Sequence, residues 1–259
     1  VTIAEAGAIP PLVNLLTSGT AVLKERATAA LWHLANNNDK NKVAIAEAGA
    51  IPPLANLLTS GTAIAIKNAA GALWSLALND KNQVTIAEAG AIPSLVNLLT
   101  SGTAVAKENA AGALWSLAAN NDKYKVTIAE AGAIPPLVNL LTSGSAIAKK
   151  NAAGALFNLA VNDKNQVAIA EAGAIPPIVN LLTSGSADAK ENAAGALLSL
   201  AVNNDKNQVT IAEAGAIPPL VKLLTSGTAI TKEIAADALC NLAANNKNKV
   251  TIAEGCKRK

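Results

Sequence analysis

The sequence is poor in the residue types that build most catalytic and metal-binding sites. Its 259 residues include one histidine, His33, two cysteines and no methionine. Cys240 and Cys256 lack the close spacing of zinc ligands and have no histidine near them, which argues against a metal site and favours a reducing compartment. We therefore expect an intracellular protein, cytoplasmic or nuclear, that uses no cofactor and no metal.

Long apolar runs and a strong excess of one charge are also missing. No stretch approaches the roughly 18 uninterrupted apolar residues that a membrane span requires, and the first residues do not resemble a signal peptide. Lys and Arg number 21 against 18 acidic residues, and the tail of Lys257, Arg258 and Lys259 accounts for the whole excess. A neutral body argues against a nucleic-acid-binding protein, since contacts with phosphates require a basic stripe.

A repeated segment dominates what is present. The seven residues AEAGAIP begin at residues 4, 46, 87, 129, 170 and 212, so the spacing alternates between 42 and 41 residues. Such a period overrides a length-based count of domains. It predicts one domain of six repeats, 1–42, 43–83, 84–125, 126–166, 167–208 and 209–249, with a partial seventh at 250–259. Because the sequence starts at Val1 in the middle of the repeat pattern, we expect it to be a mature fragment or an expressed piece of a longer chain.

Each repeat predicts three helices. In the unit that starts at Asp80, this aspartate and the glutamine three residues later resemble a capping box at the start of a short helix, which Gly90 ends in the left-handed conformation. Pro93 suits the first turn of the second helix, and Gly102 marks its end. The third and longest helix is expected at about 104–119. None of the three buries its apolar face alone, so the core must form between repeats.

A unit of this length, with GAIPPLVNLL on the second helix and ENAAGALWSLA on the third, resembles the armadillo repeat, most closely its plant and algal form. The resemblance covers essentially the whole chain. It implies an all-α, right-handed superhelical solenoid whose third helices line a concave groove that binds extended peptides. It also implies a non-enzymatic interaction module whose partner is a protein or an extended peptide.

A helical wheel of the third helix places an apolar arc opposite a polar arc, and we predict that the polar arc forms the groove. Three columns of polar residues recur along it. The charge column is Glu25, Lys67, Glu108, Lys150, Glu191 and Glu233. The asparagine row is Asn68, Asn109, Asn151 and Asn192, with Arg26 at its first place. The ladder column is His33, Ser75, Ser116, Asn158, Ser199 and Asn241, and Asp237 lies beside it.

Each column supports two interpretations. A side-chain amide can pair with both the N–H and the C=O of an extended peptide, so the asparagine row predicts main-chain recognition; alternatively, it caps or solvates the helix. The charge column alternates in sign over its first five members, which predicts register and specificity; alternatively, it is a solvated face. The acidic residues of repeat six predict a preference for a basic residue beside an apolar one.

A column of aromatic residues precedes the ladder column by one position. Its members are Trp32, Trp74, Trp115 and Phe157. We expect them to pack between neighbouring repeats or, where exposed, to form a hydrophobic wall that anchors side chains of a partner. Peptide-binding armadillo proteins carry a tryptophan four residues before the ladder asparagine. Here glycine occupies that place in repeats two to five, which predicts an open groove floor.

Two further hypotheses concern function. The copies are so alike that they indicate either recent tandem expansion or a consensus design, so an engineered or consensus-like scaffold without a natural ligand is the alternative function. A hydrolase built around His33 is a more distant rival, because a solvated histidine is the simpler interpretation. Exposed apolar surface at both ends predicts weak end-to-end self-association.

Overall fold

The computed structural model describes residues 3–249, and within that range the regular structure is helical, with helices α1 to α17 followed by helical residues at 246–249. The first helices of the repeats are α3 (Asp39–Glu47), α6 (Asp80–Glu88), α9 (Asp122–Glu130), α12 (Asp163–Glu171) and α15 (Asp205–Glu213). The second helices are α1 (Ile9–Ser18), α4 (Ile51–Ser60), α7 (Ala91–Ser101), α10 (Ile134–Ser143), α13 (Ile175–Ser184) and α16 (Ile217–Ser226). The third helices are α2 (Ala21–Ala35), α5 (Ala63–Ala77), α8 (Ala104–Ala118), α11 (Ala146–Leu159), α14 (Ala187–Ala201) and α17 (Ala229–Ala244).

These helices confirm the predicted all-α arrangement with three helices per repeat. Repeat one is the exception, because residues 3–7 form turns where the other repeats have a helix. The partial seventh repeat, 250–259, lies outside the described residues.

The first helix begins differently from the prediction. The cap is Asn79, whose side chain accepts hydrogen bonds from the main-chain amides of Lys81 and Asn82. Asp80 is already inside the helix, where its carboxylate accepts a bond of 3.3 Å from Gln83 and where the helix dipole favours negative charge. The expectation that Asp80 caps the helix is therefore wrong, because its neighbour has the extended backbone that a cap requires.

Two glycines end helices for different reasons. Gly90 has φ of 70°, so its left-handed backbone ends α6 as predicted. Gly102 is extended, with φ −73° and ψ 161°, and a Cβ there would lie 2.6 Å from the carbonyl oxygen of Leu98. The second glycine is thus required by close packing of the chain on the end of α7 rather than by its torsion angles.

The chain packs as two compact units, unit 1 (Val1–Ala133) and unit 2 (Ile134–Lys259). In unit 1, α2 packs on α5 and α5 on α8; in unit 2, α11 packs on α14 and α14 on α17. The middle third helix of each unit, α5 or α14, is therefore packed on two sides by its neighbours. Leucines and alanines of the third helices form the core of each unit together with aliphatic residues of the second helices. Within each unit, residues at equivalent places on these helices line up as columns. The expectation of a single domain remains a prediction.

Candidate functional site

The charge column lies at the boundary between neighbouring third helices. Glu25 accepts a hydrogen bond of 2.6 Å from the hydroxyl of Thr62, the residue that caps α5. Glu191 likewise accepts a bond of 2.9 Å from the hydroxyl of Thr231 on α17. The ammonium group of Lys150 lies 3.9 Å from the carboxylate of Asp188 on α14.

Through these contacts, members of the charge column connect neighbouring third helices within a unit. All its members are half-buried except Glu233, which is exposed. Sequence reasoning missed the hydroxyl and carboxylate groups that meet them, although those groups follow the recurrent TSG segment one repeat later. A half-buried side chain that touches the next repeat still presents part of its charge to solvent.

The asparagine row is buried between the third helices. Asn68, Asn109 and Asn192 are only 4%, 3% and 7% exposed, and Asn151 is buried as well. The Nδ2 atom of Asn109 donates to the main-chain carbonyl of Lys67 at 3.0 Å. Asn68 and Asn192 donate in the same way to the carbonyls of Glu25 and Lys150. The amides link successive repeats, so the expectation that the row is open to a ligand is not met.

The ladder column divides by residue type. Its serines, Ser75, Ser116 and Ser199, are buried, and the hydroxyl of Ser116 donates to the carbonyl of Gly112 in the same helix. Asn158 and Asn241 are half-buried, and His33 is exposed. Arg26 and Asp237 are exposed too. Surface-accessible members of the predicted site are therefore concentrated in repeats one and six.

The aromatic column covers the glycines of the following repeat. A Cβ placed on Gly71 would lie 2.5 Å from the ring of Trp32, and one on Gly112 would lie 2.4 Å from Trp74. The expectation of an open groove floor is therefore wrong, since the ring of one repeat fills the space above the glycine of the next. The predicted packing between repeats is confirmed, and each ring nevertheless remains half-buried rather than fully enclosed.

A cleft of about 390 Å³ opens on unit 1 between α2 and α5. Trp32 and Ile64 supply its apolar surface, and Glu25, Arg26 and Lys67 supply charge. The full lining is Glu25, Arg26, Ala29, Trp32, His33, Ile64, Lys67 and Asn68. Except for Ala29 and Ile64, these are residues that the sequence assigned to the groove or its aromatic edge.

Ile64 belongs to a row of exposed aliphatic residues that sequence reasoning did not assign to the site. The row occupies the second position of the third helices. Its members are Val22, Ile64, Val105, Ile147 and Ile230, with exposed fractions of 41% to 60%. In repeat five the same position holds Asp188, so the row is continuous through unit 1 and interrupted in unit 2. In the sequence, this row is the second residue of the residue pairs AV, AI and AD, which recur shortly after the TSG segment.

His33 stacks on the neighbouring tryptophan. The two ring centroids are 5.8 Å apart and the planes differ by 10°. Among residues 3–249, no group of three or more His, Cys, Asp or Glu side chains is placed to hold a metal ion.

A helix that spans a membrane must be both long and apolar. None of the described helices is long and apolar enough to cross a membrane alone. Two pairs, α6 with α7 and α12 with α13, meet those requirements only when joined across bends of 84° and 85°.

Comparison with known proteins places this geometry in a family. The sequence model of the plant U-box protein armadillo repeat region matches residues 12–254. A designed armadillo repeat protein is 34% identical, with a TM-score of 0.83 over 90% of this chain and 99% of its own. Another, solved in complex with the peptide (KR)4, is 31% identical, with a TM-score of 0.79 over 90% and 99%.

A further engineered protein is 35% identical, with a TM-score of 0.83 over 92% of this chain and 97% of its own. No curated protein sequence matches the chain. The family model spans nearly the whole sequence, and the three-helix repeats superpose on solved armadillo structures. The chain therefore belongs to the armadillo repeat family.

Proposed function

We propose that this protein is a non-enzymatic interaction module and that the third-helix face of unit 1 binds an extended peptide. The observation that carries the proposal is the cleft between α2 and α5, where the apolar surfaces of Trp32 and Ile64 lie among the charges of Glu25, Arg26 and Lys67. A half-exposed indole beside an exposed isoleucine provides a surface on which a partner's apolar side chain loses water. The designed relative solved with (KR)4 supports a peptide as the occupant.

The two kinds of surface have different roles in this proposal. Burial of an apolar side chain against Trp32 and Ile64 contributes most of the affinity. The charges of Arg26, Lys67 and Glu25 select register, because a like charge on the peptide is repelled at the same place where an opposite charge is attracted. The asparagine row contributes indirectly, since its hydrogen bonds fix the spacing of α2 and α5 on which the cleft depends.

Unit 2 presents a more acidic version of the same face. Asp188 replaces the aliphatic residue of its row, Leu198 and Cys240 follow where the first repeats have aromatics, and Glu233 and Asp237 are exposed. We propose that this face prefers peptides with a basic residue, placed beside an apolar one that meets half-buried Ile234. The free, exposed thiol of Cys240 supports an intracellular setting, cytoplasmic or nuclear, where thiols stay reduced.

A peptide-array screen of the protein and two matched variants tests the proposal. Ile64→Ser removes an exposed aliphatic side chain from the cleft, and Val84→Ser removes one of similar exposure from the first helix α6. We expect the first variant to lose the peptides that the parent selects and the second to keep them. Equal losses, or none in either variant, would contradict a site between α2 and α5.

A consensus-like scaffold without a natural ligand is the second candidate. The near-identity of the six repeats favours it, as does the engineered origin of the solved structures described above. The same array separates the two functions, because a scaffold without a ligand selects no peptide above background. A pull-down comparing the parent with a Lys67→Glu, Lys150→Glu double variant provides a further check: a partner held by the charge column is lost from the variant, and a scaffold captures nothing in either form.

A further inference from the structure

The two units carry equivalent clefts on a different face, where the end of a second helix meets the starts of two third helices. In unit 1 the cleft measures about 340 Å³ and lies among α4, α5, α7 and α8. In unit 2 it measures about 300 Å³ and lies among α14, α16 and α17. Both contain the glycine and threonine of the recurrent TSGT segment, so the repeat structure supplies an internal comparison.

The linings differ at three equivalent positions. Ile66, Asn97 and Ala106 in unit 1 correspond to Lys190, Lys222 and Thr231 in unit 2. The cleft of unit 1 is therefore uncharged, and that of unit 2 contains two lysines from different helices.

Lys222 is a departure from the repeat. The other five repeats hold asparagine at its place: Asn14, Asn56, Asn97, Asn139 and Asn180. Packing therefore does not require a lysine there. A single change that adds a second cation to one cleft is the kind of change expected where a ligand carries negative charge.

Among the described residues, the ammonium groups of Lys190 and Lys222 have no anionic partner. An ion pair that unit 2 does contain is that of Lys150 with Asp188. Glu191 is close in the chain but does not line the cleft; its carboxylate accepts hydrogen bonds from the hydroxyls of Thr228 and Thr231. Those hydroxyls are thereby occupied, and the lysines are the free donors. Two like charges in one cleft repel each other, and a bound anion with two charges removes the repulsion.

We propose that the unit 2 cleft binds a phosphate monoester dianion between Lys190 and Lys222. A phosphate monoester carries close to two negative charges at neutral pH, which matches two lysines, and lysine binds phosphate as a point charge. The proposal is independent of the peptide face, because neither lysine lines the cleft between α2 and α5.

Titration with O-phosphoserine at low ionic strength, followed by NMR of the main-chain amides, tests this site. We expect a saturable shift of the amides of residues 222–231, and no such shift with serine. Lys222→Asn, which restores the residue of the other five repeats and so preserves packing, should weaken binding roughly tenfold. Lys164→Asn, at an exposed position on α12, makes the same change of net charge and should leave the affinity within about twofold. Equal weakening by both variants, or no saturable shift in the parent, overturns the proposal.

A transfer experiment tests whether the two lysines suffice. Ile66→Lys with Asn97→Lys gives the unit 1 cleft the cations of its counterpart. We expect the amides of residues 97–106 to shift on adding O-phosphoserine in this double variant and to remain unshifted in the parent. If they do not shift in the folded double variant, the pair of lysines is not the recognition element and the proposal is wrong.

Discussion

The ring of Trp32 lies directly over Gly71 of the next repeat, so closely that a Cβ on the glycine would be 2.5 Å from Cε2 of the indole. Trp74 and Gly112 repeat the relationship in unit 1. Where the aromatic column ends at Leu198, the next repeat has Asp237 in place of glycine. Within each unit, the aromatic residue and the glycine thus recur together because the ring of Trp32, Trp74 or Phe157 occupies the volume that the next repeat leaves empty.

This relationship predicts that Gly112→Ala destabilises the protein. Overpacking against the indole of Trp74 costs roughly 1–3 kcal/mol, which over most of that range exceeds the gain of about 1 kcal/mol from replacing glycine by alanine in a helix. The midpoint of urea unfolding, followed by circular dichroism, measures the change. Adding Trp74→Leu to the same variant should recover stability relative to Gly112→Ala alone. A Gly112→Ala variant at least as stable as the parent contradicts the close packing of ring and glycine.

The buried amide of Asn109 should matter more for stability than the buried hydroxyl of Ser116. Asn109→Ala removes a hydrogen bond between two repeats and should cost about 1–2 kcal/mol. Ser116→Ala removes a bond within one helix, and alanine is the better helix former, so its effect should stay within about 0.5 kcal/mol. Urea unfolding of the two variants compares them directly. Equal effects would show that Asn109 does not link the repeats.

The boundaries of the helices could be predicted from sequence because glycine, proline and the TSG segment act locally. The third helix expected at 104–119 is found at Ala104–Ala118. The cap was misassigned by one residue, since Asn79 and Asp80 are both suitable caps and only the backbone torsion angles decide between them.

The accessible part of the site could be predicted only in part. A helical wheel assumes one buried arc, whereas α5 in unit 1 is covered by α2 on one side and by α8 on the other. On α5 the residues from Asn68 to Leu73 are all buried. Asparagine, glycine and alanine in that segment are small enough to lie between helices. The polarity of the asparagine does not reveal that the segment is buried. Ile64 was missed for a different reason, because the groove was assigned to the polar arc alone and the aliphatic row was not considered.

The acidic residues of repeat six should set the peptide preference of unit 2. Glu233→Lys with Asp237→Lys reverses two exposed charges on the third-helix face, so peptides with basic residues should be lost from an array and acidic ones gained. Glu171→Lys with Glu213→Lys changes the net charge equally at the exposed ends of α12 and α15. This control should retain the parental peptides. If the selection is unchanged by the first pair, these two residues do not contact the ligand.

Repeat one should support weak self-association of the chain. Leu12, Leu15 and Leu34 are half-buried there, whereas Leu54 and Leu57, the equivalents of the first two in repeat two, are buried. A second copy that packs its last repeat on this surface would continue the repeat packing without closing a ring. Light scattering should therefore show a mass that rises with concentration. A mass that stays monomeric up to millimolar concentration would argue against the contact.

The most direct test of the proposed function follows the three tryptophans, which give three indole N–H signals in an NMR spectrum. Trp32→Phe assigns the signal of the residue that lines the cleft between α2 and α5. On titration with a peptide selected by the array, the account predicts a saturable shift of the Trp32 indole signal, and loss of that shift in Ile64→Ser but not in Val84→Ser. A selected peptide that binds the parent while leaving the Trp32 signal unmoved would contradict a binding site on the third-helix face of unit 1.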